Sequence, residues 1–231
     1  MDEAILSELL VIDLSEGVAG AYCCLLLRHL GAEVVKLERP AGDSTRDALY
    51  LHLNAGKKSA TLDIGRPEGA ALLRRLADEA DILVHDQPPE RLRSLGLTYD
   101  TLAAQNPRLI AVAIASDEAA DREAEFFAGA NAFAAAILPL VNLATWGGGQ
   151  EVAVDTRECL AAAAFLATDA PESDRATTLP EGRSDAPPFR MEDVAPLSPA
   201  PSIGEHNDEV YCGLLGLSGD ELAALKAASA I

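Results

Sequence analysis

Six short apolar runs separated by helix-like stretches constrain this chain more than any other feature. They are "LLVIDL" (9–14), "EVVKLER" (33–39), "SATLDI" (59–64), "DILVHD" (81–86), "RLIAVAIA" (108–115) and "EVAVDT" (151–156), the last entered through the glycine turn "GGGQ". Each run is apolar throughout rather than at every second position, so both of its faces need cover. Strands of that kind belong to parallel sheets whose crossover helices lie on the two faces, with right-handed crossovers. The sequence therefore predicts an α/β fold: a Rossmann-like, six-stranded parallel sheet with helices on both faces.

The intervals carry their own helix signals. "AYCCLLLRHLGA" is apolar and stops at Gly31. Pro67-Glu68-Gly69 opens a helix with Leu72, Leu73 and Leu76 on one face and arginines on the other. "PERLRSLG" and "TYDTLAAQN" read as short helices, with Thr98 or Asp100 available to cap the second. A long Ala-rich helix is predicted from Glu125 to Thr145, and a further one over "RECLAAAAFLA". From Ala170 to Pro201 the texture changes to Pro, Ser, Asp and Glu without apolar periodicity, as in a linker or an extended arm. Helical pattern returns at the end, where Ser218 and Glu221 have capping-box spacing. The predicted organisation is a large α/β domain over 1–168, a linker arm over 169–202, and a helical segment over 203–231 that packs back on the large domain.

Charge excludes some functions. Among 231 residues, 37 are acidic and 18 basic, a formal net charge of −19. Broad contact with nucleic acid or anionic lipid needs clustered Lys and Arg, and an aromatic content of 4% offers little for base stacking. An anionic ligand must be caught locally, against the overall field. The sequence presents neither an apolar run read as bilayer-spanning nor a basic leader, so a cytoplasmic protein is expected. Cys23, Cys24, Cys159 and Cys212 fit neither a zinc-knuckle spacing nor a disulfide framework and read as small buried or half-buried thiols; no metal is expected.

Several segments, in order and spacing, resemble the family III coenzyme A transferases, which include formyl-CoA transferase, carnitine CoA-transferase and α-methylacyl-CoA racemase. They are "VIDLSEGVAGAYCCLLLRHLGAEVVKLERPAGDSTR", "LNAGKKSATLDIGRPEGAALLRRLADEADILVHD", "LGLTYDTLAAQNPRLIAVAI", "GGGQEVAVDTRECLAAAAF" and "PSIGEHNDEV". The resemblance implies a Rossmann-type large domain that binds CoA or acyl-CoA beyond the carboxyl ends of its strands. It puts Arg39, the Arg of "ERP", against the nucleotide part of CoA, where a guanidinium can clamp phosphate or stack on a base. Ala19 and Gly20 would let backbone approach the ligand. Leu62, Asp86, Gln87, Arg91 and Leu95 fall at further ligand positions. Taken as residues alone, Arg39 can equally pair with Glu38 or Asp43, and Arg91 and Arg93 can be a solvated helix face. Lys57 and Lys58 in "NAGKK" either hold their turn or face phosphates. His206 in "GEHNDE" either packs near a neighbouring active site or opens the final helix, with Glu205 at the positive end of its dipole. Asp155 reads as structural.

The chain also departs from the family. Members carry a catalytic Asp at the start of the long helix, which forms an acyl-enzyme anhydride in the transferases and works with a His as an acid/base pair in the racemases. That position falls on Phe127, with Glu123 and Glu125 nearby; Glu125 is the weak substitute candidate. The racemase His is missing from "ASDEAADREAE". Family members also have a small second domain before the "GEH" segment, where this chain has only the linker. Three readings follow: a CoA-binding, catalytically degenerate subunit working as a homo-dimer or beside a longer homologue; a self-sufficient transferase or racemase using a replacement carboxylate; and a scaffold module that no longer binds CoA.

Overall fold

The computed structural model describes residues 4–41, 46–115, 121–168 and 196–231. Its six strands are β1 (Leu10–Leu14), β2 (Glu33–Glu38), β3 (Lys58–Thr61), β4 (Ile82–His85), β5 (Ile110–Ala115) and β6 (Glu151–Asp155). They form one sheet in the order β3-β2-β1-β4-β5-β6, with every pairing parallel. The chain builds outward from β1 to β3, then crosses back to place β4 on the other side of β1. The topological switch point therefore lies between β1 and β4, where ligands of open α/β sheets bind.

Among the described residues, eight α-helices accompany the sheet: α1 (Val18–His29), α2 (Ala48–Leu53), α3 (Pro67–Glu79), α4 (Pro89–Leu95), α5 (Tyr99–Ala103), α6 (Arg122–Trp146), α7 (Thr156–Thr168) and α8 (Gly219–Ala227). Strand residues alternate between two cores. Ile12, Leu14, Val35, Leu37 and Leu83 pack with Leu72, Leu73 and Leu76 of α3 and with Val210, Tyr211 and Leu222 from the C-terminal segment. Val11, Val34, Ile82, Val84 and Val112 pack with Cys23, Cys24 and Leu27 of α1 and with Ala128, Ala132 and Ala136 of α6. The alanine row brings α6 close to α1. A Cβ on Gly129 would lie 2.6 Å from the Ala19 carbonyl oxygen, so only glycine allows this approach.

Some boundaries differ from the sequence reading for local reasons. α6 starts at Arg122 because the Asp121 carboxylate accepts from the Ala124 N–H at 2.9 Å, an N-cap. α2 was not predicted; Asp47 caps it by accepting from the Tyr50 N–H at 2.8 Å. The Ser218–Glu221 capping box forms at α8. The stretch Arg122–Leu143 of α6 is long and apolar enough, by length and composition, to cross a bilayer, contrary to the expectation that no such run exists. Its buried alanines face α1 in the core, as in a helix that covers a sheet.

Most of the predicted linker, residues 169–195, lies outside the described residues. From residue 196 onward the chain covers the β3 edge. The His206 N–H donates to the Ser59 carbonyl at 2.9 Å, and the Ser59 N–H donates to His206 Nδ1 at 3.1 Å. Asn207 accepts from the Thr61 N–H and donates to Thr61 Oγ1, both at 2.8 Å. The buried Tyr211 hydroxyl donates to the Thr61 carbonyl at 2.7 Å from a π-helical turn, Glu209–Leu214. His206 therefore seals a sheet edge that would otherwise expose unpaired backbone groups, and its carbonyl accepts from the Val210 N–H at 2.9 Å, so it also opens the helical turns that begin at Asn207. Tyr211→Phe should lower the unfolding free energy by about 1 kcal/mol through the lost hydrogen bond. Tyr211→Ala should lower it by about 3–5 kcal/mol. Urea denaturation followed by circular dichroism checks both.

Candidate functional site

The site is built on a charge cluster buried beneath the strand tips. Asp13 of β1 and Lys36 of β2 are register partners, so their side chains leave the sheet on the same face. The fully buried Asp13 carboxylate accepts from Lys57 Nζ at 2.8 Å, from Lys36 Nζ at 3.5 Å and from Ser15 Oγ at 2.6 Å. Lys57 is further held by the Ala21 carbonyl and by Asn54 Oδ1, each at 3.0 Å. Lys36 also donates to the Ser15 carbonyl. Burial alone would raise the Asp13 carboxyl, but Lys36, Lys57 and Ser15 hold it well below the usual carboxylate range. Lys57 is thus an internal strut, while Lys58 turns outward to Glu33 and Glu209, each at 2.8 Å. The structure separates the two roles that the sequence left open for this pair.

A second buried carboxylate, Glu38 at the end of β2, accepts from Arg46 Nη1 at 2.7 Å and from the hydroxyls of Tyr50 and Ser59. Glu38 is therefore occupied, and Arg39 pairs instead with Glu16 at 2.5 Å, on the outside. Across the switch point, Asp86 accepts from the Glu16 and Gly17 N–H groups at 2.8 and 2.7 Å. It pins the loop that leads from β1 into α1.

Two clefts open above these supports. The outer one has room for only about 20 Å³ of water, or about 350 Å³ including the space open to solvent; it is lined by Leu14, Leu37, Leu62 and Ile64, with Glu16, Arg39, Asp63, Gln87 and Arg91 as its polar groups. The inner one, about 860 Å³ including the space open to solvent, is bounded by Lys36, Tyr50, Asn54, Arg122 and Glu125 among others. Glu16 lines both. The structure thus brings together Arg39, Leu62, Gln87 and Arg91 around the outer cleft. Arg39 is 54% exposed in its side chain.

Other candidates sit elsewhere. Ala19 and Gly20 line neither cleft: both are buried, and a Cβ on Gly20 would meet Ser15 Cβ at 2.3 Å. The close approach that Gly20 permits is to the protein's own Ser15 turn. Leu95 is partly buried against the core, and Arg93 is exposed on α4. Asp86 supports the loop from below. Asp155 accepts from the Arg157 N–H at 2.7 Å and so opens α7. Glu125 is half-buried in the inner cleft, where burial, then the charge of Asp86, raise its carboxyl above the ordinary value. Phe127, two residues on, is 41% exposed and lines neither cleft.

Comparison with known proteins follows this geometry. Residues 6–170 match the model of CoA-transferase family III. The chain belongs to that family. It is 37% identical over 122 residues to a succinate–glutarate CoA-transferase of Agrobacterium fabrum, covering 46% of this chain and 30% of that one. It is also 37% identical over 115 residues to a formyl-CoA:oxalate CoA-transferase of Rhodopseudomonas palustris, covering 45% and 27%. The solved structure of a CAIB/BAIF family protein from Brucella suis superposes with a TM-score of 0.66 at 26% identity, over 74% of this chain and 60% of that one. The matches thus span under a third of these curated relatives, and the fold is the family's parallel α/β sheet.

Sequence reasoning missed the Asp13–Lys36–Lys57 cluster. Its signal was present: an Asp and a Lys interrupt two otherwise apolar strands, in "VIDL" and "VVKL". Lys57→Met should destabilise the protein by about 3–5 kcal/mol, because it leaves Asp13 buried with too little compensating charge; chemical denaturation at pH 7 measures it.

His85, at the end of β4 beside Leu14 and Ala113, is 6% exposed, and its Nδ1 has no partner among the described residues. Burial pushes its imidazole down to about 4. The unfolded chain takes up this proton near pH 6.5 while the native protein refuses it until about pH 4. The contribution of His85 to stability should therefore fall as pH drops through that window, by about 3 kcal/mol in all. A series of urea melts should show this slope, and His85→Met should flatten it.

Proposed function

We propose that this member of CoA-transferase family III binds coenzyme A or a CoA thioester across the two clefts. The nucleotide end lies in the outer cleft beside Arg39 and Arg91, and the thioester end reaches toward Lys36, Arg122 and Glu125 in the inner one. One observation carries the reading. In a chain of net charge −19, Arg39, Arg91, Lys36 and Arg122 converge on adjoining clefts at the carboxyl ends of the strands. That is where an anionic ligand of an open α/β sheet is held. Glu16, Asp47, Asp63 and Glu125 line the same clefts, so the four cations bring the site to local balance within an acidic chain, and phosphate is the chemistry that such cations can hold.

In this reading the protein is a catalytically reduced subunit in the cytoplasm, acting beside a longer member of the family. The position at which family members carry the Asp falls on Phe127, whose ring can neither attack a carbonyl nor move a proton. Where family members carry a small second domain, before the "GEH" segment, this sequence has only the interval 169–195. A longer partner would supply the second lobe and the carboxylate, while this chain supplies a CoA pocket.

The placement of Glu125 in the inner cleft supports one second reading. Its carboxylate would attack the thioester carbonyl, expelling CoA as the thiolate and forming a mixed anhydride. The thiolate would then attack the Glu125 carbonyl, releasing the first acid and leaving a glutamyl-CoA thioester. From this a second carboxylate would displace CoA as a new anhydride before the thiolate attacked the acceptor carbonyl and freed Glu125.

Calorimetry on the whole chain tests these readings. CoA is expected to bind, Arg39→Ala to weaken it roughly tenfold, and Glu125→Gln to leave affinity within about twofold. Absence of heat with both CoA and acyl-CoA would leave the scaffold reading. CoA transfer from a thioester to a second carboxylate by the isolated chain that is lost in Glu125→Gln would replace the subunit reading with the second.

A further inference from the structure

The outer cleft contains a polar atom that the fold leaves without a partner. Gln87 follows β4, is 7% exposed and lines the cleft. Its amide nitrogen donates to Asp86 Oδ1 at 3.4 Å. A carboxylate only accepts, so this pairing orients the side chain with its nitrogen toward Asp86 and its oxygen away from it. Gln87 Oε1 is buried and has no hydrogen-bond partner among the described residues. A buried carbonyl oxygen left unmade costs on the order of 1–3 kcal/mol, which a ligand donor would recover.

The surroundings narrow the kind of donor. The neighbouring lining is aliphatic, from Leu14, Leu37, Leu62 and Ile64, with the Arg39–Glu16 pair exposed beside it. Aliphatic walls suit a flat, weakly solvated ring, and a guanidinium can stack on one. The closed cleft leaves little room, so a ring must part Arg39 from Glu16. Exposed ion pairs of this sort are worth about 0–1 kcal/mol, which makes parting them cheap.

We propose that Gln87 is a specificity residue: its Oε1 accepts a hydrogen bond from the exocyclic amino group of an aminopurine seated in the outer cleft. The inference deepens the CoA-binding reading and rests on it. Gln87 reads the edge of the base, Arg39 covers its face or takes phosphate, and Asp86 keeps the amide from flipping. A base without the amino group leaves the oxygen unpaired and binds more weakly.

The experiment is calorimetry on the full chain with ADP and with its purine-riboside analogue, in which hydrogen replaces the 6-amino group, and with CoA as a third ligand. Unmodified protein should prefer ADP by roughly tenfold. In Gln87→Leu and Gln87→Met, folded as judged by circular dichroism, that preference should shrink below about twofold. Equal affinity of the unmodified protein for the two diphosphates would overturn the role of Gln87, and binding of CoA in the same series would leave the CoA reading standing. A preference that persists in both variants would also overturn it. Failure of CoA and both diphosphates to bind would overturn the CoA reading and this inference together.

Discussion

The carboxylate of Asp13, buried beneath the strand tips with two lysines against it, is the interaction on which the functional end of this molecule depends. It joins β1 to β2 through Lys36, to the turn before β3 through Lys57, and to the loop entering α1 through Ser15. Buried ion pairs are poor sources of net stability, since the cost of removing charge from water offsets most of their attraction. What this one supplies is placement. Four separate segments must reach the same few ångströms for the charges to be satisfied, and those segments carry Glu16, Lys36, Arg39 and Asn54 to the clefts above.

A second layer of carboxylates does similar work. Asp86 reaches across the switch point to hold the Glu16–Gly17 backbone, and Glu38 gathers Arg46, Tyr50 and Ser59. Several of this protein's acidic groups are thus internal fixtures rather than surface charge. With Glu38 already engaged, Arg39 stays at the rim, where a weak pairing with Glu16 keeps it available for exchange.

The relation of α6 to the site shows how packing and chemistry compete. Its alanine row and Gly129 lock it to α1, so the first turn has little freedom to rotate. That turn directs Glu125 into the inner cleft and leaves Phe127 outside. Phe126 meanwhile packs edge-on against Tyr22 with centroids 4.8 Å apart, anchoring the same turn. The carboxylate that faces the cleft is therefore selected by helix phase, which the α1–α6 contact sets.

Much of the architecture could be read from residues alone. Continuous apolar runs require cover on both faces, and this requirement by itself implies parallel strands with intervening helices; the positions of all six strands followed from it. Arg39, Leu62, Gln87 and Arg91 were reached through the resemblance to the family rather than from the strand pattern, and the fold brings them around one cleft. Other features were decided only in three dimensions. That Lys57 points inward and Lys58 outward, that His206 seals the β3 edge, and that Gly20 makes room for Ser15 all depend on which distant backbone or charge lies opposite. Local sequence specifies a residue's conformation and its face. Only the folded chain specifies what fills the space in front of that face, because burial and hydrogen-bond satisfaction are properties of neighbours brought from elsewhere in the chain.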